Sequence, residues 1–147
     1  MKAFKFKLES ILDFRKGMED LLKKNLASAK ENLNIKENEL NSVINDYLED
    51  VKELLEKGEL TPSDMAVFST HLNYLKEDIE NGEKEVESFR KTVSERRDEV
   101  MGARKERMIL DFLKEKNYKE HKRLGSKEEQ SVIDEFNSNN FKKAEYE

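Results

Sequence analysis

The sequence predicts an all-α fold, a long antiparallel two-helix coiled coil or α-helical hairpin. Three observations lead there. From Met65 to Leu110, apolar or seam positions recur in steps of three and four without a slip: Met65, Phe68, Leu72, Leu75, Ile79, Gly82, Val86, Phe89, Val93, Arg96, Val100, Ala103, Arg107 and Leu110. A second, looser stripe runs from Phe4 to Leu55. Between the two lies a short stretch, Gly58-Glu59-Leu60-Thr61-Pro62, with stop and start signals for helices.

An average spacing of 3.5 residues keeps one narrow seam facing a partner helix when the two supercoil left-handed. The 46 residues from Met65 to Leu110 make a helix about 70 Å long at 1.5 Å per residue. A helix of that length with a single apolar stripe is not stable alone in water, so it needs a partner. Composition agrees. Charged residues make up 41% of the 147-residue chain and apolar residues 35%, too few to fill a wide core but suited to a thin seam. The chain reads as a single coiled-coil domain spanning 1–147.

The first helix is expected from Phe4 to Lys57. Its stripe is Phe4, Leu8, Ile11, Leu12, Phe14, Met18, Leu21, Leu22, Leu26, Ala29, Leu33, Leu40, Val43, Ile44, Tyr47, Val51, Leu54 and Leu55, interrupted at Lys36. Gly58 follows it in the place of a C-cap glycine. Thr61 is a good N-cap for the second helix, Pro62 fills the first helical position, and Asp64 stands where a capping-box acid would. A loop at 58–61 is too short for anything but an antiparallel return.

The register follows from pairing across the loop. Leu54 with Met65 sets Val51 with Phe68, Tyr47 with Leu72, Ile44 with Leu75, Leu40 with Ile79, Leu33 with Val86, Leu26 with Val93 and Leu12 with Arg107. Gly82 then falls beside Lys36, and a Leu at position 82 should be tolerated. The second helix is expected over 62–122, with Leu124-Gly125-Ser126 as a break. A flexible or short-helical tail over 123–147 would carry Val132, Ile133 and Phe136.

No constellation for catalysis is visible. His71 and His121 are far apart, without neighbours at metal-ligand spacing, and no phosphate loop or nucleophile motif is present. A non-enzyme with no cofactor and no metal is expected. The net charge of −5 and pI near 5.3 argue against nucleic-acid binding. The absence of cysteine fits a reducing cytosol. The opening MKAFKFKLES lacks the apolar run of a signal peptide, and no apolar run has the length to span a bilayer.

Two features exceed a plain coiled coil. Met65 to Leu75 carries no charge, and off the seam Val67, Thr70, His71 and Tyr74 make a second stripe, read as a wider contact or a docking site. At the other end Phe4, Ile11, Phe14, Met18, Ile109 and Phe112 offer more apolar surface than one seam uses. That end is either a thicker core closed by the tail or a tip inserted into a partner's apolar sleeve.

Phe4-Lys5-Phe6-Lys7-Leu8-Glu9-Ser10-Ile11-Leu12-Asp13-Phe14-Arg15 resembles the F-x-F-x-L-E-x-I/L-L-x-x-R opening of the FliJ family of flagellar export proteins. Ala103 to Arg107, Leu110 to Lys116, Glu128 to Gln130 and Ile133 to Phe136 are similar too. The resemblance implies an antiparallel two-helix coiled coil like the terminal helices of a rotary-ATPase γ subunit. It implies a stalk inside the export ATPase hexamer, contact with a membrane export-gate protein, and handling of export chaperones. Such a protein would be cytoplasmic, peripheral to the inner membrane without inserting into it, and a monomer when free. On this reading Phe4, Leu8, Ile11, Phe14, Arg15, Arg104, Ile109 and Phe112 meet the ATPase, and Tyr47, Val67, His71 and Tyr74 meet the gate. The alternatives are the equivalent stalk of a virulence secretion system and a structural, oligomeric coiled-coil scaffold.

Overall fold

The computed structural model describes residues 2–146 and consists of two α-helices packed against each other, an all-α helical hairpin, with no strand among the described residues. Helix α1 spans Glu9–Glu56 and helix α2 spans Pro62–Tyr146. Among the described residues no helix is long and apolar enough to cross a membrane.

The start of α2 follows from local chemistry. The Asp64 amide donates to Thr61 Oγ1 at 3.1 Å and the Thr61 amide donates to Asp64 Oδ2 at 3.3 Å, a reciprocal capping box. Leu60 and Met65, just before the cap and four residues after it, line one hollow, as the two partners of a hydrophobic staple do. The end of α1 differs from expectation. The helix stops at Glu56, and among the described residues no glycine has a positive φ, so Gly58 does not act as a left-handed cap. Lys57 instead donates its amide to the Glu53 carbonyl and holds its ammonium 4.9 Å from the centre of the Phe68 ring.

Both expected outer boundaries move. Helix α1 begins at Glu9 rather than Phe4: Phe4-Lys5-Phe6 lies outside the helix, and the chain turns into it at Lys7 and Leu8, where the Glu9 amide donates to the Phe6 carbonyl at 3.2 Å. Phe6 is buried and Phe4 half-buried. Helix α2 does not break at Leu124-Gly125-Ser126 and runs to Tyr146. A glycine inside a helix costs about 1 kcal/mol, less than the several bonds lost if the helix stopped there. The following Lys127-Glu128-Glu129-Gln130 are strong helix formers, and Gln130 donates to Asp134 one turn on at 3.0 Å.

The chain forms two compact units, each with a piece of both helices. The first holds the residues up to Glu19 together with α2 from Ala103 onward; the second is Asp20–Gly102. In the second unit the buried core is thin: Ala29 from α1, with Val86, Val93 and Val100 from α2. Half-buried Leu26, Leu33, Leu40, Val43, Tyr47, Val51, Phe68, Leu72, Leu75, Ile79 and Phe89 extend the stripe.

The pairing in this unit is offset from the one read off the apolar pattern. A Cβ on Gly82 would stand 2.9 Å from Leu40 Cδ1, so Gly82 rather than Ile79 receives Leu40, a shift of three residues. Lys36 lines the same groove as Gly82, but its ammonium runs out to Glu39 at 3.2 Å and Glu85 at 3.5 Å. The space left by the missing side chain is filled by Leu40 and not by the lysine. The two carboxylates raise the Lys36 pKa, the hydrogen bond to Glu39 most.

Candidate functional site: exposed apolar faces at both units

In the first unit, Leu12 is the anchor, fully buried, and Phe6 and Ala103 are buried as well. Packing these inward leaves other side chains out. Ile11 and Phe14, one turn apart on α1, are 45% and 61% exposed; Ile109 and Phe112, one turn apart on α2, are 61% and 66% exposed. These four face away from the seam. Phe4 and Leu8 do not. Phe4 sits edge-on to Tyr118 at 5.3 Å and against His121 at 5.6 Å, and His121 Nε2 lies 2.9 Å from the Lys2 carbonyl. The segment before α1 thus packs against α2, and Leu8 is half-buried at the foot of α1.

The two arginines singled out from sequence are tied into ion pairs. Arg15 Nη1 meets Glu106 at 2.6 Å and its guanidinium lies 5.9 Å from the Phe14 ring. Arg104 Nε is 3.7 Å from Glu19. The pattern of apolar residues gave no hint of Glu19, which is 3% exposed and takes the Nε–H of Arg107, while Arg107 Nη1 meets Asp111 at 2.6 Å. Hydrogen bonding to Glu19, then to Asp111, raises the Arg107 pKa. Lys114 and Glu9 close the series at 2.8 Å.

The fold-back of the tail, one of the two alternatives for this end, does not occur. From Lys122 to Glu145 every residue except Gly125 is exposed. Leu124, Val132, Ile133, Phe136 and Phe141 are 47%, 65%, 51%, 64% and 67% exposed, so they cover none of the apolar residues of α1 and add to the uncovered surface. At 100° per residue Val132, Ile133 and Phe136 share one face, and Leu124 and Phe141 fall on the other. Leu124 and Phe141 escaped the sequence reading because they lie off any single stripe; their spread around the helix is itself the signal.

In the second unit, Val67, Thr70, His71 and Tyr74 line one shallow hollow with Ala66. Thr70 donates its hydroxyl to the Ala66 carbonyl at 3.0 Å, which satisfies the polar group within the helix. Val67 and Tyr74 are 69% and 64% exposed. His71 Nε2 lies 2.7 Å from Asp50 Oδ2 on α1, which fixes the ring at the edge of the hollow. Tyr47 is not part of this group. It is half-buried and lines a separate groove with Leu54, Leu60, Met65, Phe68 and Leu72. Among the described residues no group of three or more His, Cys, Asp and Glu is placed to hold a metal ion. What these faces share is exposed apolar surface.

A family model described as FliJ, flagellar FliJ protein, matches residues 4–145. No curated protein and no solved structure matches the chain.

Proposed function

The chain belongs to the FliJ family of flagellar proteins, and from that premise we propose that it is a non-catalytic stalk and adaptor of flagellar protein export. The unit holding the chain ends seats in the export ATPase hexamer. The loop-end unit contacts the membrane export gate and receives export chaperones.

The observation that carries this reading is the last stretch of α2, which has large apolar side chains exposed on opposite faces. A helix that is apolar on more than one side is buried by something that surrounds it rather than by one flat neighbour. A ring of subunits offers such a sleeve. Full burial of a large apolar side chain contributes about 1.5–3 kcal/mol, so even half that gain for each of Val132, Ile133, Phe136 and Phe141 is enough to dominate binding. Ile11, Phe14, Ile109 and Phe112 add a second apolar level in the same unit. The hollow of Val67, Thr70, His71 and Tyr74 supports the gate contact, since Val67 and Tyr74 are exposed apolar side chains off the seam.

The test uses two variants, Phe14→Ser with Phe136→Ser and Phe141→Ser, and Val67→Ala with Tyr74→Ala. Circular dichroism should give parental helicity for both. The first should lose stimulation of the export ATPase while still binding the gate's soluble domain, and the second should show the reverse. Stimulation kept in a folded first variant ends the sleeve reading. A stable tetramer by sedimentation that hides these same faces replaces it with a scaffold.

A further inference from the structure

Within the first unit, the α2 residues that meet the start of the chain recur on one face. Arg107 meets Glu19, Lys114 meets Glu9, Tyr118 meets Phe4, and His121 meets the Lys2 carbonyl. The face does not end there. In further steps of three and four it carries Gly125, Glu129, Val132, Phe136, Asn140 and Lys143. Beyond Gly125 these residues are exposed, and none of the described residues covers them. The seam of this unit therefore runs on, unpaired, over residues 125–143, about 27 Å at 1.5 Å per residue.

Its chemistry selects the occupant. Gly125, Glu128, Glu129, Val132 and Ile133 line a hollow of about 440 Å³. Val132 and Ile133 make it apolar, and two carboxylates stand at its rim. A lysine suits such a place, with its methylene stem on the apolar side and its ammonium at the carboxylates. The same face carries one. Glu129 and Lys143 each stand seven residues from Phe136, on either side of it. Both are exposed and neither is ion-paired within the described chain. A second copy laid antiparallel, Phe136 against Phe136, brings Lys143 of each copy to Glu129 of the other, so the pairing forms twice. Val132 then faces Asn140 and Ile133 faces Asn139, polar seam positions of the kind that fix a register. A parallel pair would set Glu129 against Glu129 and Lys143 against Lys143. Sliding the antiparallel pair by one heptad would set Lys143 against Lys122 and Phe136 against Glu129.

We propose that the free chain forms an antiparallel two-fold dimer through this face of α2, with Phe136 at the axis and Lys143 of each copy seated beside Glu129 of the other. The contact is isologous, as a two-fold axis requires. It is also short, which makes the dimer weak and reversible. It uses side chains that a ring sleeve would also cover, so the dimer is the state of the chain before it meets that partner. It stands in place of the free monomer that the family resemblance implies.

The test needs only the full chain. Sedimentation equilibrium from about 1 µM to about 1 mM, the span in which short interfaces associate, should show monomer passing into dimer and no larger species. Glu129→Lys and Lys143→Glu lie at exposed sites and should keep parental helicity by circular dichroism. Each alone should raise the dimer Kd at least about tenfold, because two attractive pairs per dimer become repulsive. Combining Glu129→Lys with Lys143→Glu exchanges the charges and should return Kd to within about threefold of the parent. A parent that stays monomeric over this range overturns the proposal, and so does a dimer indifferent to both single reversals. A double variant as weak as the single ones overturns it as well, since the two residues would not face each other. Loss of helicity in a single variant has the same force, because the charge would then serve the fold of one chain. Stimulation of the ATPase enters none of these readouts, so failure here leaves the export reading standing.

Discussion

Gly82 gives the sharpest energetic test of the packing in the second unit. A Cβ at this position would stand 2.9 Å from Leu40 Cδ1, 3.8 Å from its Cγ and 3.9 Å from its Cβ. Only the terminal methyl is too close, and it moves by rotation about one side-chain bond. For Gly82→Ala, the gain in helix propensity of about 1 kcal/mol meets a rotamer cost of about 0.5–1.5 kcal/mol. The net is near zero. Gly82→Leu places three further carbons where the Leu40 side chain already sits, an overpacking cost of about 1–3 kcal/mol. After the propensity gain, the loss is about 1 kcal/mol, opposite in sign to the tolerance expected when Gly82 is set beside Lys36. Adding Leu40→Ala exchanges knob and hole, so the double variant should recover part of both losses, with a coupling of about 0.5–3 kcal/mol as for residues in contact. Urea denaturation followed by circular dichroism on the parent, both single variants and the double variant yields that coupling. A Gly82→Leu protein as stable as the parent, with additive effects, would show that Leu40 does not occupy this space.

Two further expectations concern the first unit. Leu12→Ala, at a fully buried site, should cost about 2–5 kcal/mol, whereas Phe14→Ala, at a site 61% exposed, should stay within about 0.5 kcal/mol of the parent; comparable thermal melts for the two would refute the assignment of inner and outer faces. Hydrogen bonding from Arg123 holds the Glu120 carboxyl below its usual pKa. The folded value is depressed, so this contribution is present above the unfolded pKa and is lost as pH falls through the folded one. A carboxyl-carbon NMR titration should show Glu120 titrating low in the parent and returning to the ordinary glutamate range in Arg123→Gln; an unchanged midpoint would remove the pairing.

What the sequence alone determined is what depends on near neighbours in the chain. The seam of α2, the antiparallel return, and the Thr61–Asp64 capping box follow from local pattern, and each is present, the seam from Phe68 to Leu110 with Met65 left exposed. The family resemblance was legible in the Phe4–Arg15 run for a similar reason, since it is a local string. The outward aspect of Ile11, Phe14, Ile109 and Phe112, and of Val67, His71 and Tyr74, followed from having one seam and more apolar residues than it accepts. Tertiary structure decided the rest. Phe4 leaves the helix and packs on Tyr118 and His121, more than a hundred residues away, and Phe6 is buried. Residues 123–146 continue α2 because helix formation is cooperative, and local signals at Gly125 and Asn137–Asn140 are each weaker than the turns on either side. Register was legible only to about one turn, since a repeat of three and four matches itself after a small slip. The alignment adopted is visible in Leu40 lying over Gly82 in one unit and in Glu19 meeting Arg107 in the other. Periodicity specifies that two helices pair; only the non-repeating contacts specify where.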